Sequence, residues 1–183
     1  MKCLKCPIAL GNNFHNCPRQ GDENDILFIG EAPGHTENKT KIPFTGKSGL
    51  LLKSYVALYQ LGSFSTYSNV IKCQPPKNRD PSDDEIRNCM EFLIKDIVEV
   101  KAKLIILTGK VPLEVFKGEK FEFVKNHINK PFAHNGVITM AIYHPSYILR
   151  ESKEELYFES FNIVSDLYNK INPFYRAKKF NKK

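Results

Sequence analysis

The chain has 183 residues and is 42% hydrophobic, enough for one globular domain with its own core, and no stretch reaches the ~18–20 apolar residues of a membrane span. Five of its 27 Lys and Arg fall in the last eight residues, RAKKFNKK, so the net charge of +7 shrinks to 22 basic against 20 acidic side chains over residues 1–175, weak ground for a nucleic-acid partner. Met1-Lys2-Cys3 does not open a secretory signal, so the expected protein is cytoplasmic, with no membrane partner, and its five cysteines are expected to stay free of disulfides.

The first predicted element is the strand DILFIG (25–30). It ends on Gly30 and the carboxylate Glu31, and a charged loop then runs to Pro43-Phe44; an apolar strand opening onto Gly and Pro delivers its next side chains to a ligand crevice at the carboxyl end of a sheet. Next come a helix over 48–61, the strand TYSNVI (66–71), and a helix over 82–100 that Ser82 and Glu85 open as a capping box. The strand KLIILTG (103–109), a short helix over 111–116 and the strand VITMAIY (137–143) follow, and Ser152 with Glu155 predicts a second capping box at the start of a helix over 152–171. Residues 118–136 read as irregular. This alternation predicts an α/β fold, a three-layer α/β/α domain with a central parallel sheet of about four strands, spanning 1–175 and followed by a disordered basic tail at 176–183.

Cys3 and Cys6 form a C-x2-C pair, and Cys73 and Cys89 lie after a strand and on a helix. Four such thiolates can converge on a structural zinc or on an iron-sulfur cluster, and the spacing leaves both open. Cys17 reads as a free thiol without a role.

GEAPG (30–34), Glu37, PFTG (43–46), SNVIKCQPPKNRDPS (68–82), Cys89 and HPSYILR (144–150), taken together and in order, resemble the family 4 uracil-DNA glycosylases, the iron-sulfur branch of that superfamily. The resemblance runs from Cys3 to about Ile171. It implies a monofunctional DNA glycosylase that flips out a pyrimidine, hydrolyses its N-glycosidic bond and leaves an abasic site, working as a monomer on single- or double-stranded DNA. It also implies that Cys3, Cys6, Cys73 and Cys89 hold a structural [4Fe-4S] cluster.

A flipped base needs a flat partner, an edge reader and donors for its departing charge. Phe44 is the candidate for stacking, Asn69 for reading the pyrimidine edge, and Gly30 and Ala32 for close backbone approach. The resemblance implies that His144 donates to the pyrimidine O2, while Glu31 faces the cationic sugar or holds the attacking water. Lys47, Ser48 and Gly49 at a helix start, with Arg79 and Arg150, are expected to meet the DNA backbone. Lys41-Ile42, Thr45, Gln74 and LTGKVP depart from the family pattern. They open a second reading, in which a bulkier modified pyrimidine such as a hypermodified phage cytosine is excised in defence; a third is a non-catalytic iron-sulfur DNA-binding module.

Overall fold

The computed structural model describes residues 3, 5–10, 18–21, 23–122 and 124–175; Cys17 and the basic tail lie outside them. The chain order is α1 (Pro7–Leu10), β1 (Ile26–Gly30), α2 (His35–Thr40), α3 (Lys47–Leu58), β2 (Ser65–Asn69), α4 (Asp83–Val100), β3 (Leu104–Thr108), α5 (Lys110–Lys117), β4 (Phe132–His134), β5 (Val137–Ile142), α6 (Pro145–Glu151) and α7 (Glu154–Ile171). The strands form one sheet in the order β2-β1-β3-β5-β4, parallel except for β4, which runs antiparallel to β5.

Period-two alternation divides the core in two. Ile26, Phe28, Leu104, Ile106, Met140 and Ile142 point to one face and pack under α3, α6 and α7, through Leu52, Tyr55, Ile148, Tyr157 and Phe161. Leu27, Ile29, Ile105, Leu107 and Ala141 point to the other face, under α4 and α5, through Leu93, Val100, Leu113 and Phe116. The three layers follow from strands that are apolar on both faces. No helix among the described residues is long and apolar enough to cross a membrane.

Several sequence expectations are corrected. The sheet has five strands, because Phe132–His134 in the segment expected to be irregular pairs with β5. Part of the charged loop after Glu31 winds into α2, and β2 ends at Asn69 rather than carrying it mid-strand. The Ser82 capping box forms, with Ser82 Oγ accepting from Glu85 N–H and Glu85 Oε2 accepting from Ser82 N–H. The Ser152 box does not. HPSYILR makes its own helix α6, with Pro145 suited to its first turn, and Ser152 becomes the left-handed residue (φ 52°) that ends it. The last helix then starts at Glu154.

Candidate active site

The strand order reverses beside β1, with β2 on one side and β3 on the other, and such a switch opens a crevice at the carboxyl ends of the strands. A cleft of ≈ 530 Å³ lies there, lined by segments that follow β1, β2 and β5. It brings together Glu31, Ala32, Phe44, Ser48, Gly49, Asn69, Arg79, His144 and Arg150 from the sequence-predicted set. Lys47 is exposed as the first residue of α3 and is not part of the cleft wall.

Gly30 and Asn69 are register partners at the ends of β1 and β2. A Cβ on Gly30 would stand 2.4 Å from Asn69 Oδ1 and 2.7 Å from Phe44 Cζ, so the absence of a side chain lets ring and amide close on the same space. Asn69 is 4% exposed, and its side-chain amide has no hydrogen bond to any described residue. The amide opens to the cleft, where its oxygen and nitrogen are free to accept from and donate to a ligand.

Phe44 sits in the left-handed region (φ 56°), uncommon for a residue with a bulky side chain. Two features hold it there. Gly49 on α3 leaves room for its backbone, since a Cβ on Gly49 would come within 2.3 Å of Phe44 Cα. The buried carboxylate of Glu37 accepts from the N–H groups of Gly34 (3.1 Å), Thr45 (2.9 Å) and Gly46 (2.7 Å), tying both ends of the loop that carries the ring. Tyr67 backs the ring at 5.8 Å between centroids.

His144 caps α6: its Nδ1 accepts from Ser146 N–H at 3.2 Å, and Ser146 Oγ lies 2.6 Å from the same nitrogen. A main-chain N–H can only donate, so Nδ1 is bare and the ring proton sits on Nε2. Burial, reinforced by the Arg150 cation, pushes the imidazole down to about 4, which keeps it neutral at physiological pH. Gly109 (φ 98°) permits this placement, since a Cβ there would stand 2.9 Å from His144 Cβ.

Glu31 follows β1 directly, and its carbonyl accepts from Ile71 N–H at 3.1 Å. Its carboxyl has no hydrogen bond to a described residue; burial, with Asp80 adding like charge, pushes it up to about 7. Asp80 itself lines the cleft with Asn78 and Ser146, three residues that lie within the quoted motifs but were assigned no role from the sequence. Arg79 gives its guanidinium to Glu85 in two bonds of 2.8 and 2.6 Å, which pins the Pro75–Asp80 turn to α4 and leaves less free charge for a phosphate. Arg150 bonds Glu151 at 3.1 Å on the surface.

Cys3, Cys6, Cys73 and Cys89 line one cavity beside α1 and α4, with Ile8, Ile71 and Phe92. Among the described residues no three His, Cys, Asp or Glu side chains are gathered closely enough to hold a single metal ion. Lys72 N–H donates to Cys89 Sγ at 3.3 Å, and burial pushes the Cys73 thiol up to about 12.

Comparison with known proteins agrees with this geometry. The model of the Uracil DNA glycosylase superfamily matches residues 18–165. A type-4 uracil-DNA glycosylase of Thermotoga maritima is 34% identical over 158 residues, covering 85% of this chain and 82% of the relative. One from Archaeoglobus fulgidus is 31% identical over 183 residues, covering 94% and 92%, and one from Sulfurisphaera tokodaii is 33% identical over 162 residues, covering 81% and 72%. A sheet that gathers Glu31, Asn69 and His144 at one end, in a chain matched along most of its length, therefore belongs to the uracil DNA glycosylase superfamily, in its type-4 family.

Proposed function

We propose that residues 1–175 form a single domain that acts as a cytoplasmic, monomeric and monofunctional DNA glycosylase, removing uracil and leaving an abasic site. The observation that carries this reading is the Asn69 amide, open to the cleft and facing Phe44 across Gly30. A pyrimidine stacked on Phe44 meets that amide along its O4/N3 edge, where the amide accepts from N3–H and donates to O4.

Cleavage breaks the C1′–N1 bond, and its electron pair leaves with the base. The Nε2–H of neutral His144 donates to O2 as charge grows there; a pre-aimed donor of this type is worth ~10²–10³ in rate. The sugar left behind is oxocarbenium-like, and ionised Glu31 stabilises it and orients the water that adds to C1′. One water proton passes to Glu31 and thence to solvent, and the base takes its own proton from solvent. Ser48, Gly49 and Lys47 at the start of α3, with Arg150, meet the flanking phosphates, while Arg79 supports the turn beside them.

Cys3, Cys6, Cys73 and Cys89 would hold a [4Fe-4S] cluster. Support comes from the four thiols that line one cavity and from the N–H donor aimed at Cys89 Sγ. When bound, such a centre supplies a cross-link between the chain start, the turn after β2 and α4.

The test is mass spectrometry of the bases released from ordinary, uracil-containing and phage-modified DNA, with Asn69→Ala and His144→Ala as controls. Uracil release that both variants lose supports the reading. Release of a bulky modified pyrimidine alone would replace the substrate, and DNA binding without release from any substrate would favour the non-catalytic module.

A further inference from the structure

Lys72 stands where the two sites of the molecule meet. Its main-chain N–H donates to Cys89 Sγ, and its neighbour Cys73 lines the same cavity. Its buried side chain runs the other way: Nζ donates to Ser68 Oγ at 2.6 Å, to the carbonyl oxygen of Asn69 at 2.7 Å and to Asp96 Oδ2 at 2.7 Å. Asp96 also accepts from Ser68 Oγ at 2.5 Å, and Arg19 Nε lies 3.7 Å from its second oxygen. All three ammonium protons are thereby used.

Burying an ion pair is a poor way to gain stability, because desolvating the two charges offsets their attraction and apolar residues of the same volume often serve as well. What such a pair gives is direction. Here two of the three bonds fall on Ser68 and Asn69, at the end of β2 where the open amide begins. We propose that Lys72 is a positioning residue that ties the geometry of the cysteine site to the orientation of the Asn69 amide, so that disturbing the one misaligns the reader of the base. The substrate side of this inference rests on the glycosylase reading above.

The test compares Lys72→Met, which keeps the length but loses the charge, with Lys72→Arg. The first readout is affinity for single-stranded DNA carrying 2′-fluoro-2′-deoxyuridine, whose fluorine blocks cleavage. Lys72→Met is expected to retain its iron and to bind about tenfold more weakly, with Lys72→Arg recovering most of the loss; combined with Asn69→Ala it should add nothing, as for two residues acting as one unit. The second readout is amide hydrogen exchange at Ser68, Asn69 and Val70, expected to quicken by about tenfold or more in Lys72→Met with iron still bound. Should that variant fail to fold, Ser68→Ala leaves the ion pair intact and should move both readouts by about two- to fivefold through the two hydrogen bonds lost at Ser68 Oγ.

Unaltered affinity and exchange in the folded variants would overturn the proposal, as would effects of Lys72→Met and Asn69→Ala that multiply. If the unaltered protein releases no uracil, the glycosylase reading fails by itself, and the exchange measurement still decides the coupling.

Discussion

Gly30 and Asn69 face each other as the last paired residues of β1 and β2, so close that one added methyl group at Gly30 would lie 2.4 Å from the Asn69 oxygen. The same methyl would strike Phe44 Cζ. Gly30→Ala is therefore expected to lower kcat/KM on uracil DNA by ~10²-fold or more while costing the fold only about 1–3 kcal/mol, as overpacking does. A steady-state assay beside a urea melt separates the two effects, and full activity in a folded Gly30→Ala protein would contradict the site geometry.

The raised Glu31 carboxyl gives a pH dependence with a definite sign. If the ionised form works, kcat/KM climbs as pH rises through about 7, and Glu31→Gln removes that ascending limb together with ~10²–10⁴ of the rate. Stability moves the opposite way. A carboxyl raised from 4.5 to about 7 holds its proton in the folded state after the unfolded chain has lost it, so folding weakens across that window. Glu31→Gln should thus raise Tm at pH 8, by ~2–4 °C per kcal/mol relieved, and leave it unchanged at pH 4.

His144, depressed to about 4, stays neutral throughout the working range. His144→Ala should cut kcat by ~10²–10³ without moving the limb near pH 7. A limb that vanished with His144 rather than with Glu31 would reverse the two roles. Ser146→Ala, which loses the hydroxyl beside Nδ1 but keeps the N–H donor, should cost about tenfold or less.

Glu37 carries no chemistry yet holds the Phe44 loop through three N–H groups. Glu37→Ala strands all three donors and should cost about 3 kcal/mol or more, with weaker uracil-DNA binding. In Glu37→Gln one carboxamide oxygen can still serve Thr45 and Gly46 while Gly34 loses its acceptor, so this variant should fall between the two. Denaturant melts and fluorescence anisotropy read both quantities.

Protein purified without oxygen should be brown, with broad absorbance near ~400 nm and about four irons per chain. Cys89→Ala should lose the colour and the iron and melt at lower temperature. Colourless protein with stoichiometric zinc would overturn the cluster assignment.

Legibility in the sequence tracked the physics of each element. β1 and β3 were plain because ILFIG and LIILT are apolar on both faces. Buried strand β2, STYSN, is polar, and its serines Ser65 and Ser68 are satisfied by the Leu61 carbonyl and Asp96, partners that no local pattern announces. HTENKT has no apolar period, so α2 was missed; the Gly34-x-x-Glu37 spacing was its one local signal. The gathering of Asn69, Phe44 and His144 in one cleft was legible through motifs. The approach of Asp80 to Glu31 was not, because it depends on the pairing of β1 with β2 and on the Arg79–Glu85 anchor.

The three-residue strand β4 has a consequence for how the protein behaves at high concentration. Parallel sheets are templates for adding further chains wherever a long row of main-chain groups stays open at the margin. Here β4 occupies the margin beside β5. At the opposite margin Gln20 bridges to Tyr67, exchanging main-chain bonds of 2.8 and 2.9 Å with β2. One margin is thus a strand of three residues and the other is interrupted at Tyr67, so neither offers a long open row of main-chain groups and the protein should resist edge-to-edge aggregation.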